Sequence, residues 1–301
     1  MLALVADSSA ALTRDEARQL GVEVIPMSYV LDGERREETF MGENGDYDAA
    51  LRSGRVTGTE GVRTAQFAPV FQRLVEAGND VLCVTISGKL STTYRHACEA
   101  ADAVRSELRR KAGATSREAN SAARKRSESL PRIVVLDSLS GASAVEFLLR
   151  EARSLDAAGK GLDEILDALE AKRSEQGICF SVTSTDALRD SGRLAMVPQS
   201  VSTLLNRFPV LTMEQGAVKH AGTARGSQAL AREMVGHVPA GYEGDVVLSH
   251  YGARGALMVE LLHAAKEALP QANIRVKDGG PVLSYILGPG AVSIAWAPAR
   301  G

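Results

Sequence analysis

The first half of the chain repeats one grammar: a short apolar run, a small polar loop, then a helical pattern. Leu2–Ala6 reads as a strand and Asp7-Ser8-Ser9 as the loop after it. Thr13-Arg14-Asp15-Glu16 has the spacing of a capping box, in which hydroxyl and carboxylate satisfy each other's backbone amides, and Gly21 can end that helix. Val22–Met27 predicts the next strand. Asp80–Ile86 predicts another, followed by a loop at 87–91 and a helix over Thr92–Leu108. Ile133–Leu136, then Asp137-Ser138, then a helix from about Ser140 complete the series. Alternating β and α units predict a mainly parallel sheet with helices on both faces. Ligands of such sheets bind beyond the carboxyl ends of the strands, where all three polar loops fall.

Residues 112–129 interrupt this pattern. They are rich in Ala, Ser, Arg and Glu without a core face, and read as an exposed loop or helical extension. Leu162, Ile165, Leu166 and Leu169 then line one helical face, and a strand at Ile178–Val182 opens a second half. Phe208–Met213 and Ala217–His220 flank Gln215-Gly216 as in a hairpin. A helix over Gly226–Val235, a strand over Asp245–Ser249, a helix over 253–267 and strands at Ile274–Lys277 and Ala291–Ala297 follow. The expectation is a two-domain α/β protein: residues 1–174 carry the parallel sheet flanked by helices, and residues 175–301 a mixed-sheet α+β domain.

Composition narrows the class. With 301 residues, 45% hydrophobic and 24% charged, the chain can bury two ordinary cores. A formal charge of -2 gives no net basicity for nucleic acid or an anionic membrane, and the Arg109-Arg110-Lys111 cluster reads as a solvated helix face. No run approaches the ~18 apolar residues of a membrane span, and Leu2–Ala6 reads as a strand rather than a signal peptide. Three cysteines, Cys83, Cys98 and Cys179, form no CxxC pair; reduced thiols in a cytoplasm are expected.

Most catalytic signatures are missing: no GxSxG, no HExxH, no GxGxxG and no Cys/His ligand cluster. Ser87-Gly88-Lys89-Leu90-Ser91 looks like a P-loop ending but lacks the earlier glycine and puts Leu between Lys and Ser. What remains is a set of small hydroxyl residues near strand ends: Ser8, Ser9, Thr64, Ser87, Ser91, Thr93 and Ser138. Hydroxyls and helix-terminal amides together make an anion site without net charge. The plain reading is that each caps a helix, which is favoured for Ser138 and Ser140.

The order of short motifs resembles the DegV family. Val5-Ala6-Asp7-Ser8-Ser9 with Val24-Ile25-Pro26-Met27 is similar to that family's start, and Arg63-Thr64-Ala65-Gln66 resembles its Thr-Ser-Gln signature. Residues 86–94, Ile-Ser-Gly-Lys-Leu-Ser-Thr-Thr-Tyr, resemble its Ile-Ser-Ser-x-Leu-Ser-Gly-Thr-Tyr segment. Leu136-Asp137-Ser138, Ser191-Gly192-Arg193, Pro209-Val210-Leu211 and Gly288-Pro289-Gly290 follow in the family's order. The resemblance implies the family's two-domain EDD fold and a fatty acid carrier, not an enzyme, with no cofactor. The acid would lie in an apolar tunnel between the domains, its carboxylate near Thr64 and the Ser87-Gly88–Ser91 loop. Arg193 would be its cation, and Ser8 and Ile286 would lie at the site. Burying each methylene is worth ~0.8 kcal/mol, so a ~16-carbon tail gains on the order of 12 kcal/mol before entropy costs. A buried carboxylate must then be hydrogen-bonded or paired. A fatty acid kinase is the implied partner. Ala65, Gly88 and Thr92 depart from the family pattern, and Ile286 stands where it carries a histidine. Isoleucine neither donates a hydrogen bond nor relays a proton, which points toward a lipid store or sensor as much as a kinase-delivery carrier. A small-molecule transferase or hydrolase using the hydroxyl-lined cleft is the alternative.

Overall fold

The computed structural model describes residues 1–118, 130–185, 188–189, 192–193 and 206–298. In the first half, β1 (Leu2–Asp7) passes through a 3-10 turn at Ser8–Ala10 into α1 (Arg14–Leu20) and β2 (Val22–Ile25). Next come β3 (Ser28–Leu31), β4 (Glu34–Glu37), α2 (Tyr47–Arg52) and β5 (Val56–Glu60). They lead to α3 (Thr64–Glu76), β6 (Asp80–Thr85), α4 (Thr93–Glu118), β7 (Ile133–Asp137), α5 (Ser143–Ala157) and α6 (Leu162–Glu175).

The expected parallel sheet is present, in the order β2-β1-β6-β7. Because strand side chains alternate faces, it is buried on both sides. Leu4, Ala6, Leu82 and Val84 pack with Val145, Leu148 and Ile165 from α5 and α6. Val5, Val81 and Cys83 pack with Phe67 and Phe71 of α3 and Ala97 and Val104 of α4. The capping box closes as its spacing requires. Glu16 N donates to Thr13 Oγ1 at 3.2 Å, Thr13 N donates to Glu16 Oε2 at 2.9 Å, and Gly21 ends α1 at φ +59°.

Three expectations need correction or extension. Neither Ser138 nor Ser140 caps α5. Ser138 Oγ instead bonds both the N–H and the C=O of Ser140, and Ala142 stands at the N-cap without a side-chain bond. Residues 112–118 continue α4, whereas 119–129 lie outside the described residues. An antiparallel sheet, β4-β3-β5, was not anticipated at all.

The second half contains β8 (Gly177–Ser181), β9 (Arg207–Glu214), β10 (Ala217–Arg225), α7 (Ser227–Val235) and β11 (Asp245–His250). It continues with α8 (Ala256–Ala268), β12 (Asn273–Asp278), α9 (Gly280–Leu287) and β13 (Val292–Ala297). The sheet is mixed, β10-β9-β8-β13-β11-β12, with only β11 and β12 parallel. Gln215 and Gly216, at φ +48° and +81°, make the two-residue hairpin loop between Glu214 and Ala217.

Charges tie the halves together. On edge strand β12, Arg275 and Lys277 are two residues apart and share one face. Both reach Glu146 of α5, at 2.8 and 2.7 Å, and Arg150 adds a third bond at 2.6 Å. Burial raises the Glu146 pKa, but Lys277, Arg275 and Arg150 outweigh it and hold the carboxyl at about 2.

Candidate functional site

Beyond the carboxyl ends of the parallel strands lies a cavity of about 790 Å³, counting its open mouth. Its walls follow from strand and helix periodicity. Ile178 and Phe180, alternating on β8, face into it, while Cys179 between them packs into the opposite core. Met213 and Val218 arrive from the β9–β10 hairpin. Val282, Leu283, Ile286 and Leu287 present one face of α9. Ile86 and Met27 come from the ends of the parallel sheet. Such a wall excludes water and gives an apolar ligand dispersion contacts along its length.

At one end the lining turns polar. Ser91 and Arg193 border the cavity and also an adjoining pocket that contains Arg63, Lys89, Arg95 and Glu60. Arg193 is anchored by its Nε, which donates to the Leu90 carbonyl at 2.8 Å, leaving the two terminal nitrogens of the guanidinium to a ligand. Among the described residues no carboxylate lies within 4.0 Å of it. Burial lowers its pKa, the signature of a cation short of counter-charge. Ser91 Oγ accepts the Thr93 N–H at 3.2 Å and sits 2.9 Å from Thr93 Oγ1, which itself accepts the Val62 N–H. When Thr93 donates to Ser91, the Ser91 hydroxyl hydrogen is free to meet an anion.

The structure therefore brings together Ser91, Arg193 and Ile286 among the residues singled out from the sequence. Ser87 lies behind the lining: its buried hydroxyl donates to the Gly216 carbonyl at 2.8 Å and so ties the loop to the hairpin. Gly88 donates its N–H to Asp137 Oδ2 at 3.1 Å and borders the polar pocket. A Cβ at 88 would lie 3.0 Å from the Tyr94 ring and 3.1 Å from that carboxylate, so a side chain there would need these neighbours to give by a few tenths of an ångström. Thr64 stands apart from the cavity lining, at the first turn of α3, with its hydroxyl donating to Glu99 at 2.9 Å.

Ser8 is buried and leads to a residue the sequence did not flag. Its hydroxyl accepts the Met27 N–H at 3.1 Å and donates to Glu38, whose other oxygen accepts the Val282 N–H at 3.0 Å. Glu38 thus fixes the N-terminus of α9, a cavity wall, to the turn after β1. Full burial is the main cause that pushes its pKa up to about 8, with buried Asp7 adding to it. Coming directly after the run Glu34–Glu37, it carries no sequence signal that separates it from a solvated acid.

The model of the DegV family, described as uncharacterised proteins, matches residues 1–299. A DegV domain-containing protein of Deinococcus radiodurans is 25% identical over 306 residues, covering 99% of this chain and 98% of that one. Another from Streptomyces coelicolor is 26% identical, covering 97% of each. Among solved structures, a DegV lipid binding protein of Thermotoga maritima superposes with a TM-score of 0.80 at 22% identity, covering 100% of this chain and 99% of that one. A Thermus thermophilus DegV family protein described for fatty acid binding gives 0.78 at 25% identity, covering 98% and 99%. The Streptococcus pneumoniae fatty acid kinase B3 protein loaded with linoleic acid gives 0.75 at 20%, covering 99% of each. With nearly its whole length matched by the family model and its fold shared with these structures, this chain belongs to the DegV family.

Proposed function

We propose that this protein binds one long-chain fatty acid, with its tail in the apolar cavity and its carboxylate at Ser91 and Arg193. The observation that carries this reading is the pairing of an apolar cavity with one half-buried guanidinium that lacks a carboxylate partner among the described residues. The fatty acid bound by the Thermus thermophilus relative supports it. Ser87 and Gly88 shape the loop that presents Ser91, and Ser8 acts through Glu38 on α9. The cavity walls come from residues 1–174 and 175–301, which we take as two domains.

The chain acts as a carrier rather than an enzyme: its cavity wall binds and excludes water. Delivery to a fatty acid kinase is the role that the Streptococcus pneumoniae relative's description supports. Ile286 on the cavity wall gives this chain no proton-relaying side chain at that position. Displacement of a fluorescent fatty acid from delipidated protein tests the assignment. Arg193→Met should weaken palmitate binding by roughly 1.5–3 kcal/mol, the cost of a lost hydrogen bond to a charged group. Unchanged affinity in both Arg193→Met and Ser91→Ala would remove the carboxylate from this end.

A further inference from the structure

A second polar pocket touches the apolar cavity on a side away from Ser91 and Arg193. Ile178 and Met213 line both spaces, and this pocket shares no lining residue with the one around Arg193. Two of its polar side chains have no hydrogen-bond partner. Ser140 is 6% exposed, lines this pocket, and its Oγ makes no hydrogen bond. Gln176, which follows α6, lines it too, and both its Oε1 and Nε2 are buried without a partner. Buried polar atoms are almost always hydrogen-bonded, because an unmet donor or acceptor carries its full desolvation cost. Three such atoms beside one apolar cavity mark a place built to receive a polar group.

The chemistry of that group follows from the donors and acceptors. A hydroxyl and a carboxamide are both neutral, and each can donate and accept. Arg173 also lines the pocket and gives one Nη1 bond to the Asp137 carbonyl at 2.8 Å, but Glu170 and Glu214 on the same lining leave no net positive charge for an anion. A neutral group that also donates and accepts fits best, which is an alcohol. Met213 lines both spaces, and its unbranched thioether can change rotamer between them. The adjoining backbone is held in unusual conformations, with Leu139 at φ +51° and Ala142 at φ +53°. Those residues flank Ser140, and such strain persists where the surroundings over-determine it.

We propose that Ser140 and Gln176 form a distal subsite for a hydroxyl on the far end of the acyl chain, so that the protein accepts hydroxylated fatty acids. This rests on the fatty-acid reading above and adds the ligand class. The test is competition against a fluorescent fatty acid on delipidated full-length protein. Each saturated acid from twelve to eighteen carbons is compared with its ω-hydroxy derivative. A closed apolar end would reject the hydroxyl, whereas the proposed subsite predicts that at least one ω-hydroxy acid binds as tightly as its parent or tighter. Ser140→Ala with Gln176→Leu should then disfavour that hydroxy acid by about tenfold while leaving the parent unchanged. Gln176→Leu alone, at the less buried position, should show the same preference in smaller degree and covers misfolding of the double variant. Uniform rejection of every hydroxy acid by the native chain, or equal selectivity in native and variant proteins, overturns the proposal while leaving fatty-acid binding standing. Failure of the parent acids themselves to bind overturns both.

Discussion

Two buried acids of this fold titrate in opposite senses. Glu38 has its carboxyl raised from 4.5 to about 8, so the folded chain keeps a proton that the unfolded chain releases. Its contribution therefore lowers stability as pH rises from about 4.5 to about 8, by up to ~1.4 kcal/mol per pH unit. Glu146, held at about 2, adds stability above about 4.5 that is lost as pH falls toward 2. Urea unfolding across pH 2–9 separates them. Glu38→Gln should flatten the decline toward alkaline pH, because an amide can accept the Val282 N–H and donate to Ser8 without ionising. Glu146→Gln should destabilise at neutral pH, by less than the roughly 3–5 kcal/mol of a buried charge left unpaired, since Arg150, Arg275 and Lys277 lose this partner but keep Glu16. A Glu38→Gln profile parallel to the native one would show that this carboxyl is ionised in the fold. Thr64→Val belongs to the same scale: with its hydroxyl on Glu99, it should change palmitate affinity less than Arg193→Met.

Elements were legible where one local rule was enough. The β-α alternation gave the parallel sheet, and Gln215-Gly216 gave the hairpin. Strand β4 was invisible because Glu34-Arg35-Arg36-Glu37 is exposed throughout and shows no apolar alternation. Yet Asp32-Gly33, both at positive φ, joins Leu31 to Glu34 as a two-residue hairpin loop, a signal the sequence did offer. Helix α9 was obscured by Gly279-Gly280-Pro281, which reads as a breaker, although Val282, Leu283, Ile286 and Leu287 have helical spacing. Motif order pointed to Ser91, Arg193 and Ile286, whereas Glu38 becomes distinctive only when tertiary packing buries it. The hairpin also supports the site, because Gly216 accepts from Ser87 and its strands supply Met213 and Val218. Gly216→Ala should cost about 1–3 kcal/mol, from φ +81° and a Cβ placed 2.6 Å from Ser87 Oγ. It should weaken fatty-acid binding as well. Chemical denaturation with a binding titration checks both, and a loss of neither would make the turn a mere connection.

At the scale of the molecule, the cavity exists only where the halves meet: the parallel sheet supplies its floor, β8–β10 a side, and α9 a wall pinned by Glu38. Ligand and inter-half contacts should therefore stabilise one another. A ligand at a hundred times its Kd adds about 2.7 kcal/mol to a fold that alone binds it. No helix among the described residues is long and apolar enough to cross a membrane. The most direct test is organic extraction of the purified protein followed by mass spectrometry, with palmitate and oleate added to a delipidated sample. One acyl chain per protein is expected, either co-purified or taken up on addition. Protein that is folded, empty and unable to take up either acid would contradict it.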